Sequence, residues 1–589
     1  MNRISEPLLV VFALVSASIL HTCGTLRADE QSPTTQTSGQ GERPAEEGER
    51  PAEEGERPAG QGERQRGDRC PFAPEDDAES DIAPSSLEPA TKPSPPEPRI
   101  TIGRETTFIE GPLTDDGYVD YLAALNERLS EGVTPENNAA VLLWQCWGPS
   151  RRDEGDRAEF FARLGVGELP IEGDYLKGHF AAARPAGDDP DGAPELERVR
   201  EERYQEFLRS LKAPWKRAEF PLSAAWVDAS EKPLAMAIAA TKRPRFYQPV
   251  LDSGMPLVAE ATNAALPATQ GCRNLAQDLK VRAMMRLGER DVEGAWEDNL
   301  AIHRLAHLIS QGPTILESLT ALPISGIACQ VTETLLHSAE VTADQARKME
   351  ADLRALPPMP SMAEKYDVAE RVMFLDFVTT LARGRGKDFV GFLGAPHDEE
   401  EGGAARLTEE LLGSIIDGIL ATQVDWNETL RMGNQWYDRV VESARKPTYA
   451  ERQEALVQVE AELEALSRRA QSPTSLYAQA TLKGESVRTT AGRHVGMILV
   501  SMSFPIPSRM SAVEDRELAR VDLIRVAVAI AGYKAKHGKS PDRLEDLAPA
   551  HIPELPLDRT TDEAFQYEKT DKGYSLYGGD VAMRMPKAE

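Results

Sequence analysis

Two short segments of the sequence place histidines where they could share a metal ion. In HRLAH, His303 and His307 are four residues apart, and in ETLLH, Glu333 and His337 have the same spacing. Residues four apart lie on one face of a helix, so two such helices packed together would offer three imidazoles and one carboxylate. This ligand set suits zinc or iron.

A second interpretation of these histidines is structural. Trp296, Leu300 and His303 lie along one helical face, so the imidazoles can line or cap a core. The segments also lack the glutamate of HExxH and the i, i+3 spacing of carboxylate di-iron bundles. We therefore predict core or surface histidines, and assign no catalytic residue, cofactor or metal. A metal-dependent enzyme built on His303/His307 and Glu333/His337 is the alternative.

Other segments resemble functional motifs only in part. RGRGKD at 383–388 contains Gly-x-Gly-Lys, but Asp388 stands where a phosphate loop needs Ser or Thr to hold magnesium. The acidic run HDEEEGG at 397–403 is typical of a solvated loop, with a loose calcium site as the alternative. The tryptophans of WQCWGP end an amphipathic helix, which favours core packing over sugar binding.

The charge balance excludes some classes of partner. Of 589 residues, 96 are acidic and 67 basic, which gives a net charge of −29. Nucleic-acid and anionic-lipid binding need clustered Lys and Arg, so neither is expected. The hydrophobic fraction of 41% is enough for packed cores in several domains.

The first residues predict export. Arg3 precedes a thirteen-residue apolar run at 8–20. That run is shorter than the ~20 residues of a membrane span but suits the core of a signal peptide. We predict a signal peptide at residues 1–28, cleaved after Ala28, and a periplasmic or envelope location without a membrane span after cleavage. An uncleaved anchor is the alternative. Lipidation at Cys23 is not expected, because a threonine precedes it.

Four of the five cysteines follow the predicted cleavage site. An exported chain can oxidise its thiols. Cys272 and Cys329 fall in predicted helical hairpins and are candidates for a disulfide, with buried free thiols as the alternative. Four cysteines allow three pairings, and the sequence does not choose among them. No CxxC occurs, so a redox motif or zinc knuckle has no support.

The composition of residues 29–104 predicts a disordered, acidic tether. Gly-Glu-Arg-Pro recurs from Gly41, Gly48 and Gly55 in a Pro-, Gly- and Glu-rich block. Such a composition buries too little apolar surface to offset the entropy of ordering. The segment is therefore expected to be an extended spacer.

Residues 105–270 and 271–510 predict two mostly helical regions. Thr134 and Pro135 suggest a helix N-terminus, and capping boxes begin at Thr342 and Thr448. The segment around GERD, at 288–291, reads as an antiparallel helix pair and is similar to the middle of a tetratricopeptide repeat. Only one copy is visible, so an array is not predicted.

Residues 511–589 predict a small α+β module. An amphipathic helix stops at Gly538, and a short helix follows with Ser540 as N-cap and Pro541 at its first position. Alternating residues in EAFQYEKTDKGYSLY then predict a hairpin that turns at Asp571–Gly573.

In this module the order of elements and motifs is helix, HGKSP, short helix, LPLD, hairpin and GGD. This order resembles the globular end of the major pseudopilin of type II secretion. The resemblance covers about 65 residues and implies a folding and contact module. The family's hydrophobic N-terminal stalk and acid-rich tail are absent. Asp558 and Asp580 match positions near the family's calcium site, but two carboxylates do not make a six- to eight-oxygen cage.

The ordered region also resembles uncharacterised exported bacterial proteins. The resemblance rests on DGYVDYLAALNERLSEGVTPENNAAVLLW near the front and YKAKHGKSPDRLEDL near the end. It implies fold and location, with no known activity.

The sequence thus predicts a mainly α fold, an irregular helical-hairpin region followed by a small α+β module. The predicted function is that of an exported structural or interaction protein of the cell envelope that binds a protein partner. Besides the metal-dependent enzyme, an accessory protein of a secretion system is an alternative. The substrate, the partner's identity and the oligomeric state are not specified by the sequence.

Overall fold

The computed structural model describes residues 99–178, 194–385, 423–504, 506–570 and 573–586, all within one compact unit. The predicted signal peptide, the tether up to residue 98 and the acidic run at 397–403 lie outside the described residues. The described part is mainly α-helical, with small antiparallel sheets near its C-terminal end, so the predicted fold class is confirmed.

Helices make up most of the described chain. In order they are α1 Tyr121–Ser130, α2 Ala139–Trp147, α3 Arg157–Arg163, α4 Pro194–Ser210, α5 Pro221–Ala229, α6 Glu231–Thr241, α7 Leu257–Gly288, α8 Val292–Ile309, α9 Ile315–Ser338, α10 Ala343–Arg354, α11 Met362–Lys365, α12 Arg371–Ala382, α13 Trp426–Ala444, α14 Tyr449–Ala470, α15 Pro473–Leu482, α16 Val487–Ser503 and α17 Pro507–His537. A π-helical turn, Tyr366–Glu370, joins α11 to α12. Short 3-10 helices lie at Pro149–Arg151, Glu154–Asp156 and Leu544–Leu547.

The strands follow α17. They are β1 Leu557–Asp558, β2 Glu563–Ala564, β3 Gln566–Thr570, β4 Gly573–Tyr577 and β5 Ala582–Pro586. Strands β1 and β2 form a two-stranded sheet, and the other three form an antiparallel sheet in the order β3-β4-β5. The predicted hairpin is β3–β4, in which Tyr567 lies opposite Leu576. The sequence did not predict β5.

One hydrophobic core is built around α7, α8 and α9. Helix α7 ends at Gly288 and α8 begins at Val292, with the Asp291 side chain accepting a hydrogen bond from the Gly294 N–H. This confirms the helix pair that turns at GERD. The backbone of Trp215 passes so close that a Cβ on Gly288 would lie 2.0 Å from its carbonyl oxygen. Only glycine permits this approach.

The two tryptophans of WQCWGP belong to the same core. Trp144 and Trp147 are 1% and 4% exposed, and their rings meet edge to face at 5.9 Å. Trp144 also packs against Phe160 at 5.0 Å. Core packing of the tryptophan pair is therefore confirmed.

A second core lies among α12, α13, α14 and α16. Fully buried aromatic side chains such as Tyr366, Trp426 and Tyr437 fill it. Gly433 lets Phe374 pack against α13, because a Cβ at that position would lie 2.1 Å from the Phe374 ring. Both cores take residues from α7 and α9, which connect them.

Helix α17 is part of the first core as well as of the C-terminal module. It packs against α9, α10 and α14 on one side and touches β1, β4, β5 and the 3-10 helix on the other. Ile524 and Val528 of its predicted apolar face are buried, and Val521 is partly buried. The helix ends at Gly538, whose φ of 71° is left-handed, as the predicted glycine stop requires.

Two predicted helix starts are wrong. Helix α2 begins at Ala139 with Asn138 as N-cap, and Thr134 and Pro135 lie in the preceding turn. The Asn138 side chain accepts hydrogen bonds from the N–H groups of Ala140 and Tyr247, so a distant loop decides where the helix starts.

In the C-terminal module, Ser540 and Pro541 precede a 3-10 helix whose N-cap is Arg543. The Tyr567 hydroxyl donates a hydrogen bond to the Pro541 carbonyl oxygen. This bond holds Ser540 and Pro541 against the hairpin, so they do not start a helix. The capping boxes at Thr342 and Thr448 are both present, so those predictions are confirmed.

Helix α9 is long and apolar enough, by length and composition, to cross a membrane. In its most apolar window, 78% of the residues are buried inside the protein. Core helices of soluble proteins have the same composition.

Candidate functional site

The structure places His303 and His307 inside the protein on α8. His303 is 1% exposed, and burial, with a smaller contribution from His307, lowers its pKa to about 3. Burial also lowers the pKa of His307 to about 4. Both imidazoles are therefore neutral at physiological pH.

The second pair, Glu333 and His337, does not complete a metal site with His303 and His307. His337 is exposed, and its Nδ1 lies 2.7 Å from the Glu333 carbonyl oxygen one turn earlier. Within the described residues, no three His, Cys, Asp or Glu side chains gather as a group able to hold a metal ion. The structure thus does not bring the two pairs together around a metal.

The cysteines are buried free thiols in the described chain. Cys146, Cys272 and Cys329 are unpaired and no more than 2% exposed. The Cys272–Cys329 disulfide is therefore not formed, and the alternative of buried thiols holds. Burial raises the pKa of all three, that of Cys146 to about 12. A buried, protonated thiol is a poor nucleophile.

Next to the histidines, α7 and α8 are joined by a buried ionic cluster. Asp298 is fully buried and accepts hydrogen bonds from Arg282 Nε at 3.1 Å and Arg286 Nη1 at 3.0 Å. The Arg282 Nη2 donates to its other carboxylate oxygen at 2.5 Å. All three side chains satisfy one another, which indicates a structural role.

Asp558, one of the two carboxylates named in the pseudopilin resemblance, is surrounded by hydrogen-bond donors of the protein itself. Its carboxylate is fully buried and accepts hydrogen bonds from the Thr560 N–H and hydroxyl, the Thr561 hydroxyl and the Gly579 N–H. Burial alone would raise its pKa, but these four donors lower it below the usual value. Both carboxylate oxygens are thus already paired with protein donors.

A cleft of about 200 Å³ lies among the described residues. Its wall combines the end of α1, the loop 245–250 and the first half of α7 with the loop 311–313 and α11. The small side chains of Ala261 and Ala264 on α7 leave the space open. We take this cleft as the candidate functional site, because concave surfaces with converging polar groups are where proteins bind small ligands.

The interior of the cleft holds two buried charges. Lys365 is 4% exposed and donates to the carbonyl oxygens of Ser310, at 2.6 Å, and Gly312. Glu317 is 3% exposed, and its Oε2 accepts from the N–H and hydroxyl of Thr314. Burial lowers the pKa of Lys365 and raises that of Glu317, while each charge opposes the shift of the other.

Two polar atoms in the cleft have no hydrogen-bond partner in the described chain. The Oε1 of Glu317 has no described donor, and the Nε2 of Gln248 has no described acceptor, whereas Gln248 Oε1 accepts from Trp144 at 3.1 Å. Neither atom is fully buried, so each remains accessible. The cleft therefore offers one acceptor and one donor to a ligand.

Charged side chains also line the exposed part of the cleft. Arg128 and Glu364 are exposed and form no ion pair with any described residue. Arg245 is partly buried and donates to the Glu131 carbonyl at 3.0 Å. Charges of both signs thus face the same small space.

Sequence reasoning missed this site. Its charged residues come from α1, the loop 245–250, α9 and α11, which are more than a hundred residues apart at the extremes. One local signal was present, because Thr314 and Glu317 have the spacing of a capping box. That pattern indicates the start of α9 but does not predict a cleft beside it.

Comparisons with known proteins identify no relative. No family model matches the chain, no curated protein matches it, and no solved structure is similar to it.

Proposed function

We propose that this chain is an exported structural or interaction protein of the cell envelope, which acts by binding a protein partner. The proposal is supported by the apolar segment at 8–20, the Pro- and Glu-rich segment that follows it and the net charge of −29. The buried histidines and thiols of the described chain pack inside the protein, and Asp298 is bonded to two arginines of α7.

The observation that carries the proposal is the position of α17. This helix belongs to the C-terminal module, yet Ala519, Leu523 and Ile530 on it are buried in the core of α7, α8 and α9. A helix shared in this way fixes the module to the helical body. The body would then act as a rigid support that presents the sheet.

The sheet itself has features of a contact surface. β3 and β5 are its edges, and in the described chain no further strand pairs with either. The side chains of Gln566, Glu568 and Thr570 on β3 are exposed. An edge strand with free backbone groups can accept an added strand from a partner.

An accessory role in a secretion system is a second candidate. It is favoured by the order of elements after residue 506, in which a helix, a short helix and the β3–β4 hairpin follow one another as in the pseudopilin resemblance. The two-stranded β1–β2 sheet was not part of that resemblance. The added β5 and the protein-bonded Asp558 are departures from that pattern.

Deleting the module would not test the proposal, because removing α17 would also remove Leu523 and Ile530 from the core. We suggest instead a photo-crosslinking amino acid at Gln566, on β3, in the native host. A matched chain carries it at Glu454, an exposed residue of α14 without a described partner. A discrete crosslinked species in the envelope fraction from Gln566, absent from Glu454, would support the proposal. No crosslink from Gln566, or the same products from both positions, would contradict it.

A further inference from the structure

The charges around the cleft select a narrow class of ligand. Arg128, Arg245 and Lys365 are cationic, and Glu317 and Glu364 are anionic. A simple anion is attracted by the three basic groups but repelled by the two carboxylates, and a simple cation meets the opposite combination. A molecule that carries one charge of each sign meets both sets of groups favourably.

The unpaired hydrogen-bonding atoms of the cleft also match a ligand that carries one charge of each sign. Glu317 Oε1 can accept from an ammonium group, and Gln248 Nε2 can donate to a carboxylate, and neither atom has a partner in the described chain. Both side chains are more than nine-tenths buried, so their free atoms are held in place. Buried polar atoms gain most from a matching partner, since leaving them unpaired costs free energy.

The size of the cleft limits the ligand further. Its volume of about 200 Å³ is below the ~300–1,000 Å³ of pockets for drug-sized molecules. The wall of α7 contributes only alanine methyl groups at positions 261, 264 and 265. This surface suits a short aliphatic side chain.

We propose that the cleft is a binding site for a small free α-amino acid. Its ammonium group would face Glu317 and Glu364, and its carboxylate would face Arg128 and Gln248. A short side chain would lie against α7. This site goes beyond the proposed envelope role and does not depend on it, because it involves neither α17 nor the sheet.

Three matched probes test the proposal by calorimetric titration of the full chain. L-Alanine carries both charges, propionate only the carboxylate and ethylamine only the ammonium group. We expect saturable binding of L-alanine, with each analogue at least about tenfold weaker, because each loses one charged hydrogen bond.

Two variants assign the groups. Arg128→Gln should weaken L-alanine about tenfold but should not weaken ethylamine, which loses only a repelling charge. Glu364→Gln should weaken L-alanine similarly but should not weaken propionate, for the same reason. Both residues are exposed and without described ion pairs, so neither change should affect folding. Arg104→Gln and Glu110→Gln, exposed and outside the cleft, are the controls and should change nothing.

Any of three results would overturn the proposal. The first is the absence of saturable L-alanine binding to a chain whose circular dichroism shows it folded. The second is propionate or ethylamine binding as tightly as L-alanine. The third is L-alanine binding that is insensitive to both cleft variants. Failure here would leave the crosslinking test at Gln566 unaffected.

Discussion

Replacing Asp298 by alanine should strongly destabilise the protein. The Asp298 carboxylate is fully buried and receives hydrogen bonds from Arg282, whose side chain is 6% exposed, and from Arg286. Without it, the guanidinium of Arg282 would remain charged in a site with little access to water. Breaking a buried ion pair by removing one partner typically costs about 3–5 kcal/mol. We expect a loss of this size in the free energy of unfolding of Asp298→Ala.

The assay is urea denaturation of the wild type and three variants. Glu297→Ala is the matched control, because the neighbouring Glu297 forms an ion pair with Lys242 in which both side chains are about half exposed. It should cost no more than about 1 kcal/mol. The double variant Arg282→Met/Asp298→Leu removes both charges of the buried pair and should recover most of the loss. A cost below about 1 kcal/mol for Asp298→Ala, or a double variant no more stable than the single one, would refute the structural role of the cluster.

Three further predictions concern other parts of the fold. Burial raises the pKa of Glu370 to about 7 from its unfolded value near 4.5. The stability that the protonated Glu370 side chain contributes is therefore fully present below pH 4.5 and is lost as the pH rises through 7. Glu370→Gln should therefore raise the free energy of unfolding by roughly 3 kcal/mol at pH 8 and by almost nothing at pH 4.5. Equal gains at both pH values would be the contrary result. Asp558→Ala leaves buried donors unpaired and should cost about 3 kcal/mol or more in urea unfolding. Added calcium should leave the wild-type melting temperature unchanged, and a calcium-dependent rise that is lost in Asp558→Ala would contradict the pairing of this carboxylate with protein donors alone. Gly288→Ala places a Cβ 2.0 Å from the Trp215 carbonyl oxygen and should lower the free energy of unfolding by about 1–3 kcal/mol. The control, Gly155→Ala, has open space around it and should lower it by less than about 1 kcal/mol. Equal losses in the two variants would contradict the close approach.

Sequence reasoning succeeded where the deciding contacts are local. The capping boxes at Thr342 and Thr448 satisfy donors within one helical turn, and Gly538 ends α17 through its own backbone conformation. The turn at GERD is likewise fixed by neighbouring residues. Such contacts are readable because both partners lie within a few residues of each other.

It failed where distant residues decide the local structure. Asn138 and not Thr134 caps α2, because the loop at Tyr247 supplies a second hydrogen bond to Asn138. No pattern within a single segment reports such contacts.

The candidate site was beyond sequence reasoning for the same reason. The histidine pairs have regular spacing, yet burial of α8 and exposure of His337 separate their environments. The cleft joins Arg128, Gln248, Glu317 and Lys365, which share no motif. Only the packing of α1, α7 and α11 around one space brings them together.

Export is the requirement on which the proposed function most directly depends. The decisive measurement is the intact mass of the chain recovered separately from the cytoplasmic and the envelope fractions of the native host. The account predicts a mature chain in the envelope fraction that begins at Asp29, after cleavage at Ala28. A chain that retains residues 1–28 and is recovered only from the cytoplasm would contradict it.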